Sequence, residues 1–158
     1  EMARATAPFA QKPGDVTALR DKLLDVMWED VGVMRDADGL QRGLHRIDEI
    51  DDELSSTGVA ADNLAFNLSW HDWLNLRSLV DMSRVIAQSA LSRENSRGAH
   101  FREDHPDTGA MQDSYFTLAT GSDKNISVAR APVQFTIVKP GETLLGADEA
   151  ETLVGAAE

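Results

Sequence analysis

The sequence contains no cysteine, so disulfide bonds, thiolate catalysis and sulfur-ligated metal sites are excluded from this chain. Positive charge is also scarce, because 15 lysines and arginines stand against 27 aspartates and glutamates, a formal net charge of −12. A surface that binds nucleic acid or anionic lipid needs clustered positive charge. The composition therefore argues against both partners and is typical of a chain kept in solution by its charge.

Long apolar runs are missing as well. No stretch of about 18 consecutive apolar residues is present, so we expect no direct membrane span. No basic start leads into an apolar segment, so we expect no signal peptide. Apolar residues still make up 42% of the 158 positions, which is enough for one domain with a packed core.

Apolar residues recur every three or four positions in three stretches, 16–34, 40–54 and 64–90, and this period predicts three amphipathic helices. The connections between them are short, so successive helices should fold back antiparallel and bury their apolar faces together. Strand-forming residues follow after position 113. We therefore predict a mainly-α fold: an antiparallel three-helix bundle, spectrin-repeat-like, with a C-terminal β-hairpin and extended segment.

Local signals place the helix starts and the core. Asp15 is the expected N-cap of the first helix, and Asp38, three residues before Gln41, has the spacing of a capping box for the second. The predicted core includes one leucine from each helix: Leu23, Leu44 and Leu76.

An acidic run occupies positions 48–53, with five acids around Ile50. A calcium loop needs a glycine turn and irregular backbone, and this run lies in a helical pattern without one. We therefore predict that the five acids form a solvated helix face.

The domain organisation follows from these elements. Residues 1–14 have no periodicity and are expected to be a linker or disordered lead-in. Residues 15–138 are expected to form the bundle domain, which includes a polar loop at 92–107, here called the motif loop, and a hairpin at 113–138. Residues 139–158 are rich in Gly, Ala and Glu and are expected to be a flexible tail.

The motif loop has the most unusual composition. Its segment RENSRGAHFREDHP places three arginines, three acids and two histidines around Gly98 within fourteen residues. Arginine presents planar forks of donors to carboxylates and carbonyls. Gly98 permits a sharp turn, and Pro106 prevents a helix from continuing. We predict a helix end that leads into a rigid polar loop.

Catalytic and metal-binding interpretations of this loop are weak. Ser96, His100 and Asp104 are spaced by four, but a nucleophile elbow and oxyanion donors are not evident. His100 and His105, with Asp104 and Asp107 nearby, lack the spacing of a metal site. No glycine-rich phosphate loop occurs. We therefore predict no catalytic, cofactor-binding or metal-ligating residue in this chain.

The motif loop resembles a C-terminal segment of succinate dehydrogenase and fumarate reductase flavoprotein subunits, which has the form Arg-x-Glu-Ser-Arg-Gly-Ala-His-x-Arg-x-Asp, often followed closely by Pro. Asn95 replaces the usual Glu, and the resemblance extends over roughly residues 15 to 135. L-Aspartate oxidase shares the Ser-Arg-Gly core, but Arg102 fits the dehydrogenase pattern better. Nine residues match in order: Arg93, Ser96, Arg97, Gly98, Ala99, His100, Arg102, Asp104 and Pro106.

The resemblance implies a helical domain of a larger subunit that carries FAD in a separate domain, interconverts succinate and fumarate, and passes electrons to an iron–sulfur subunit. The family's catalytic residues lie upstream of this segment, so the chain alone should be inactive and bind no FAD. The nine matching residues would form a structural and docking loop toward the flavin-binding domain and the iron–sulfur subunit. The implied location is cytoplasmic, peripheral on the inner membrane through partner subunits.

Two alternatives remain open on the sequence. The chain could be a free-standing helical interaction module that reuses the scaffold, or the C-terminal domain of an L-aspartate oxidase-like flavoenzyme. The coding sequence upstream discriminates the first, because a parent flavoprotein would carry a G-x-G-x-x-G strand–turn–helix fingerprint there.

Overall fold

A computed structural model of the chain describes residues 2–122 and 124–143. The helices are α1 (Met2–Thr6), α2 (Val16–Glu29), α3 (Ala37–Ser55) and α4 (Leu68–Ser92). The strands are β1 (Met34–Arg35), β2 (Phe101–Arg102), β3 (Tyr115–Ser122) and β4 (Asn125–Pro132). β1 pairs in parallel with β2, and β3 pairs antiparallel with β4. The predicted mainly-α bundle with a C-terminal hairpin is confirmed.

The helix starts follow from side-chain caps. Asp15 caps α2 as predicted, because its carboxylate accepts a hydrogen bond from the Ala18 N–H at 2.9 Å. The predicted cap at Asp38 is wrong: Asp36 caps α3 by accepting from the Gly39 N–H at 2.6 Å. Asp36 has the extended backbone that a cap needs because β1 ends immediately before it.

The third long helix begins later than its periodicity indicates. Asn67 is its cap, accepting from the Trp70 N–H at 3.0 Å, so the apolar residue Leu64 lies before the helix and is exposed. The Asn67 amide also donates to the Ala61 and Asn63 carbonyls at 2.8 and 3.0 Å, which closes the preceding loop on itself.

The core lies where α2, α3 and α4 meet. Leu23 and Leu76 are buried as predicted, whereas Leu44 is only partly buried at the edge of the core. Each fully buried aliphatic side chain contributes about 1.5–3 kcal/mol, so this shared seam dominates the stability of the bundle. The most deeply buried aliphatic residues are Leu23, Val26, Leu40, Ile47, Leu54, Leu76 and Val80.

The acidic run of α3 departs from its prediction at one position. Asp51 is buried, with 3% of its surface exposed, and binds the guanidinium groups of Arg77 at 2.6 Å and Arg84 at 2.8 Å. Arg84 is itself buried and also contacts Asp48 at 2.9 Å. An acid at a helix position that faces α4 can be buried because two arginines of α4 neutralise it.

The lead-in also departs from its prediction, because residues 2–10 are helical rather than extended or disordered. Phe9 packs on Trp70 with 5.3 Å between ring centroids, and the Trp70 indole donates to the Ala5 carbonyl at 2.7 Å. A half-buried indole on α4 gives this segment an apolar and a polar contact together. Downstream, the Gly58 N–H donates to the Lys12 carbonyl, and a side chain at Gly58 would collide with the Gln11 carbonyl.

The hairpin lies against α4, as a lone hairpin must find support. Gln88 donates to the Ile126 carbonyl at 3.2 Å, and Arg130 donates to the Ser92 carbonyl at 3.1 Å. The Tyr115 ring is contacted by the guanidinium groups of Arg93 and Arg130, 4.7 and 4.8 Å from its centroid. Residues 133–138 continue the chain without forming a strand.

Two predictions concern the ends of the chain and membrane association. The predicted tail at 139–158 lies outside the described residues from position 144 onward. Across residues 2–122 and 124–143, no helix combines the length and the apolarity that a bilayer crossing requires. The division into lead-in, bundle domain and tail stays a prediction.

Candidate functional site

The motif loop begins where α4 ends and is anchored by two backbone pairings. Arg97 and His100 exchange backbone hydrogen bonds of 2.8 and 3.0 Å around Gly98, whose φ of +56° lies in the left-handed region that glycine tolerates. The loop then forms β2, which pairs with β1 in the connection between α2 and α3. The loop is therefore attached both to the end of α4 and to the connection between α2 and α3, rather than projecting into solvent.

Arg102 is the most deeply buried polar side chain of the loop, with 1% of its surface exposed. Its Nη1 donates to the carbonyls of Ala90 and Leu91 at 3.0 Å each, at the C-terminal end of α4. Its Nε and Nη2 donate to both carboxylate oxygens of Asp104 at 2.7 Å each. The guanidinium thus occupies the helix end, where unpaired carbonyls and the negative pole of the helix favour a cation.

Ser96 is also buried, and its hydroxyl bridges two backbone segments. The Arg102 N–H donates to Ser96 Oγ at 2.9 Å, and Ser96 Oγ donates to the His105 carbonyl at 2.8 Å. Neither His100 nor Asp104 contacts this hydroxyl, so the structure does not bring Ser96, His100 and Asp104 together as a catalytic triad. The serine holds the loop closed.

The other two arginines of the loop bind acceptors in the segment that leads into the hairpin. Arg97 donates to the carbonyls of Thr108 at 2.5 Å and Ala110 at 2.6 Å, and to Ser114 Oγ at 2.7 Å. Arg93 donates to Asn95 Oδ1 at 3.0 Å and lies over the Tyr115 ring. All three guanidinium groups of the motif therefore have acceptors within this chain.

His100 lies between two arginine residues. Its Nδ1 accepts from Arg35 Nη1 at 2.9 Å, and its Nε2 lies 3.3 Å from the Arg93 carbonyl, which fits a neutral ring with its proton on Nε2. Burial lowers the pKa of His100; the hydrogen bond to the Arg93 carbonyl raises it, and the charges of neighbouring arginines lower it further. His105, five residues on, is half-exposed and lies 4.0 Å from Asp104.

Within the part of the chain that the structure describes, no three His, Asp or Glu side chains form a group that could hold a metal ion. The remaining motif residues, Gly98, Ala99 and Pro106, are exposed at the surface of the loop.

Asp104 couples the loop to the start of α3. The Arg102 guanidinium holds the pKa of the Asp104 carboxyl well below its usual range, and the Ala37 N–H, which donates to Asp104 at 3.0 Å, acts in the same direction. A carboxyl whose pKa is lower in the folded state than in the unfolded state stabilises the fold at high pH. That stabilisation is lost as the pH falls through the folded-state pKa.

We expect Asp104→Asn to remove this dependence on pH. The free energy of unfolding of the native chain should exceed that of the variant by a constant amount above about pH 5, and the gap should shrink below about pH 4, where an unfolded aspartate begins to bind a proton. Urea unfolding at a series of pH values measures the gap. A gap that stays constant down to about pH 2 would contradict the assignment.

A cavity of about 430 Å³ opens beside the loop, between α4 and the hairpin. Four basic side chains line it, Arg35, Arg93, Arg97 and His100, and we call it the arginine pocket. Ser89 and Thr117 add hydroxyl groups, and no acidic residue among positions 2–122 and 124–143 lines it. Its chemistry suits an anionic group.

Sequence reasoning did not single out Arg35 as a site residue. It lies 65 residues before His100 and reaches the loop because β1 pairs with β2. Its Nε donates to the carbonyls of Val31 and Gly32 at 3.1 and 2.6 Å, which holds the side chain in one orientation. The sequence signal that could have identified Arg35 was its position as a lone arginine in the short connection between two predicted helices.

A second surface was also missed. Trp28 is 80% exposed, and with Val33 and Met34 it lines a cavity of about 410 Å³ at the end of α2. Phe101 is the strand partner of Met34 across β1 and β2 and is also exposed. We call these four residues the apolar patch. The signal was the position of Trp28 outside the apolar stripe of α2, since an exposed aromatic cluster is typical of an interface.

Known proteins resemble this chain over most of its length. The family model described as fumarate reductase flavoprotein C-term matches residues 20–144, well over half of the chain. The fumarate reductase flavoprotein subunit of Haemophilus influenzae is 30% identical over 141 residues, 89% of this chain and 23% of the relative. L-Aspartate oxidase 1 of Ralstonia nicotianae is 42% identical over 88 residues, 56% of this chain and 15% of the relative.

A solved structure has the same fold. Mycobacterium smegmatis Sdh1 in complex with UQ1 superposes with a TM-score of 0.72 and 25% sequence identity, covering 97% of this chain and 26% of the Sdh1 chain. The chain spans about a fifth of the length of the curated relatives it matches.

Proposed function

This chain belongs to the family of fumarate reductase flavoprotein C-terminal domains, and we propose that it is the C-terminal helical domain of an FAD-dependent subunit that interconverts succinate and fumarate. In this proposal the chain is structural and docking, and the chemistry is performed elsewhere in the subunit. FAD would be bound by the flavin-binding domain of the same subunit, and electrons would pass to an iron–sulfur subunit. The assembly would be cytoplasmic and peripheral on the inner membrane through its partner subunits.

The observation that carries the docking role is the apolar patch beside an internally bonded loop. Trp28, Val33, Met34 and Phe101 expose aromatic and aliphatic surface at one end of the bundle and are not members of its core. A water-exposed group of large apolar side chains is unfavourable unless another surface covers it. The occupant we propose is the flavin-binding domain of the same polypeptide.

The nine motif residues keep a part in this proposal. Arg93, Arg97 and Arg102 bind acceptors of this chain, so their role would be to fix the loop and β2 in place. Phe101 belongs to β2, and the rigid loop therefore presents one member of the apolar patch. Docking by the loop would then depend on its shape and its exposed residues.

We expect Trp28→Ser combined with Met34→Ser to separate docking from folding. Both side chains are mostly exposed, so the chain by itself should lose less than about 1 kcal/mol of unfolding free energy. The longer polypeptide that carries the chain should lose thermal stability of its flavin-bound form. Differential scanning fluorimetry on the chain and on the longer polypeptide, followed by flavin fluorescence, measures the two effects.

Leu68→Ser is the matched control, because Leu68 is 77% exposed at the start of α4 and is not part of the apolar patch. It should leave both proteins unchanged. Equal responses of the longer polypeptide to Leu68→Ser and to the double variant would contradict the docking surface. A reading frame without an upstream flavin-binding fingerprint would favour a free-standing interaction module instead.

A second candidate is the same domain in an L-aspartate oxidase-like flavoenzyme. Its support is the 42% identity to the L-aspartate oxidase of Ralstonia nicotianae over 88 residues. The two candidates predict different substrates for the longer polypeptide. Succinate-dependent reduction of an artificial electron acceptor supports the first, and peroxide formation from L-aspartate supports the second.

A further inference from the structure

The distribution of ion pairs in this acidic chain is uneven. Most of its lysines and arginines lie 4.0 Å or less from an Asp or Glu carboxylate, as expected when acids outnumber bases 27 to 15. Among residues 2–122 and 124–143, Lys12 and Lys139 have no such partner, and among the arginines Arg35, Arg93 and Arg97 have none. These three arginines line one cavity, the arginine pocket.

The hydrogen bonds that these arginines do make orient them without neutralising them. Carbonyl and hydroxyl acceptors fix Arg35 at Val31 and Gly32, and Arg97 at Thr108 and Ser114. Such acceptors carry only partial charge, so three full positive charges remain around one cavity and repel each other. An anion bound in the cavity would attract all three arginines and so offset their mutual repulsion.

His100 also lines the pocket, and the protonation of its ring depends on the charge that the pocket holds. It accepts from Arg35 at 2.9 Å, so its ring is neutral while the pocket holds only positive groups. Ser89 and Thr117 supply hydroxyl donors, and Ile86 and Ala90 form an apolar wall. Fixed donors and excess positive charge are the features of a site for a small anion.

We propose that the arginine pocket binds a carboxylate. Planar guanidinium forks held by the backbone match the planar geometry of a carboxylate group. A volume of about 430 Å³ accommodates either the acidic side chain of a docked segment or a free dicarboxylate. The chemistry is the same for both sources, and the experiment separates them.

The test is a titration of this chain with malonate at constant ionic strength, followed by NMR of the His100 imidazole. We expect a saturable shift with a dissociation constant below about 1 mM, together with a rise in the pKa of His100 as the bound anion offsets the arginine charges. Arg35→Gln should weaken binding at least about 10-fold, and Arg35→Lys should recover part of it. Arg20→Gln is the matched control, because it removes one charge at an exposed position that does not line the pocket.

The outcomes decide between the possibilities. A response that does not saturate by about 20 mM malonate, or equal weakening by Arg35→Gln and Arg20→Gln, overturns the proposal. Tighter binding of inorganic phosphate than of malonate also overturns it, because the site would then select phosphate. These results are obtained on the chain alone, so they do not depend on the proposed docking function.

The source of the carboxylate is tested on the longer polypeptide and rests on the proposed function. If an acidic side chain of another domain fills the pocket, the His100 signal of the longer polypeptide should already resemble the malonate-bound form and should not respond to malonate. If the ligand is a free dicarboxylate, the longer polypeptide should respond as the chain alone does.

Discussion

Replacing Arg102 by methionine is expected to lower the free energy of unfolding of this chain by about 3–5 kcal/mol. Methionine retains the unbranched stem of the side chain but donates no hydrogen bond. The carbonyls of Ala90 and Leu91 would lose a charged donor at a buried helix end, and Asp104 would lose both bonds of its bidentate pair. Urea unfolding followed by circular dichroism measures the loss.

Arg130→Met is the control for this prediction. Arg130 also donates to a carbonyl at the end of α4, that of Ser92 at 3.1 Å, but its side chain is 54% exposed, so its loss should cost less than about 1 kcal/mol. The double variant Arg102→Met, Asp104→Asn should recover part of the stability because it also removes the unpaired charge. A loss below about 1 kcal/mol for Arg102→Met would show that the loop does not depend on this arginine.

Asp51→Asn is expected to cost about 3 kcal/mol, whereas Asp52→Asn, one residue along α3, should cost less than about 1 kcal/mol. The Asp51 carboxylate is buried between Arg77 and Arg84, and an amide cannot neutralise either guanidinium. The cost should lie at the lower end for a buried pair because Asp48 still contacts Arg84. Thermal and urea unfolding of both variants measure the difference.

The comparison is well matched because the two substitutions are chemically identical. The Asp52 carboxylate is 74% exposed and its pairing with Lys124 is a surface contact, so solvent can replace it. Equal losses for the two variants would mean that the buried pairs contribute no more than a surface ion pair. The double variant Asp51→Leu, Arg84→Met removes both charges of one buried pair. If it restores stability, α3 and α4 require that no buried charge is left unpaired, and they do not require the ion pair itself.

Periodicity predicted the three long helices well because an apolar stripe reports directly on which face must be buried. It predicted boundaries less well. The start of α4 at Leu68 depends on the Asn67 cap and on the loop that Asn67 closes, and neither interaction appears in a hydrophobic pattern. The lead-in was missed for a related reason: Phe9 and Ala5 are ordered by Trp70, a residue more than sixty positions away.

The sequence indicated which residues make up the site, but it did not indicate which atoms those residues contact. The motif loop could be identified as polar, turned at Gly98 and resistant to helix formation. Its arginines were expected to face another domain, yet Arg102 is buried at the end of α4 and binds its own chain. A sequence gives the number of donors in a loop, whereas the position of each acceptor depends on how α4, the loop and the hairpin pack.

The amino-acid sequence by itself determined the mainly-α bundle, the hairpin and the family to which the chain belongs, because periodicity and a contiguous motif are local properties. Only the tertiary structure decided which charges are buried and which cations remain without an acid. Asp51 meets Arg84 across two helices, and Arg35 meets His100 across the β1–β2 pairing, 65 residues apart. Electrostatic energy depends on distance in space and on burial, and neither is encoded by position along the chain.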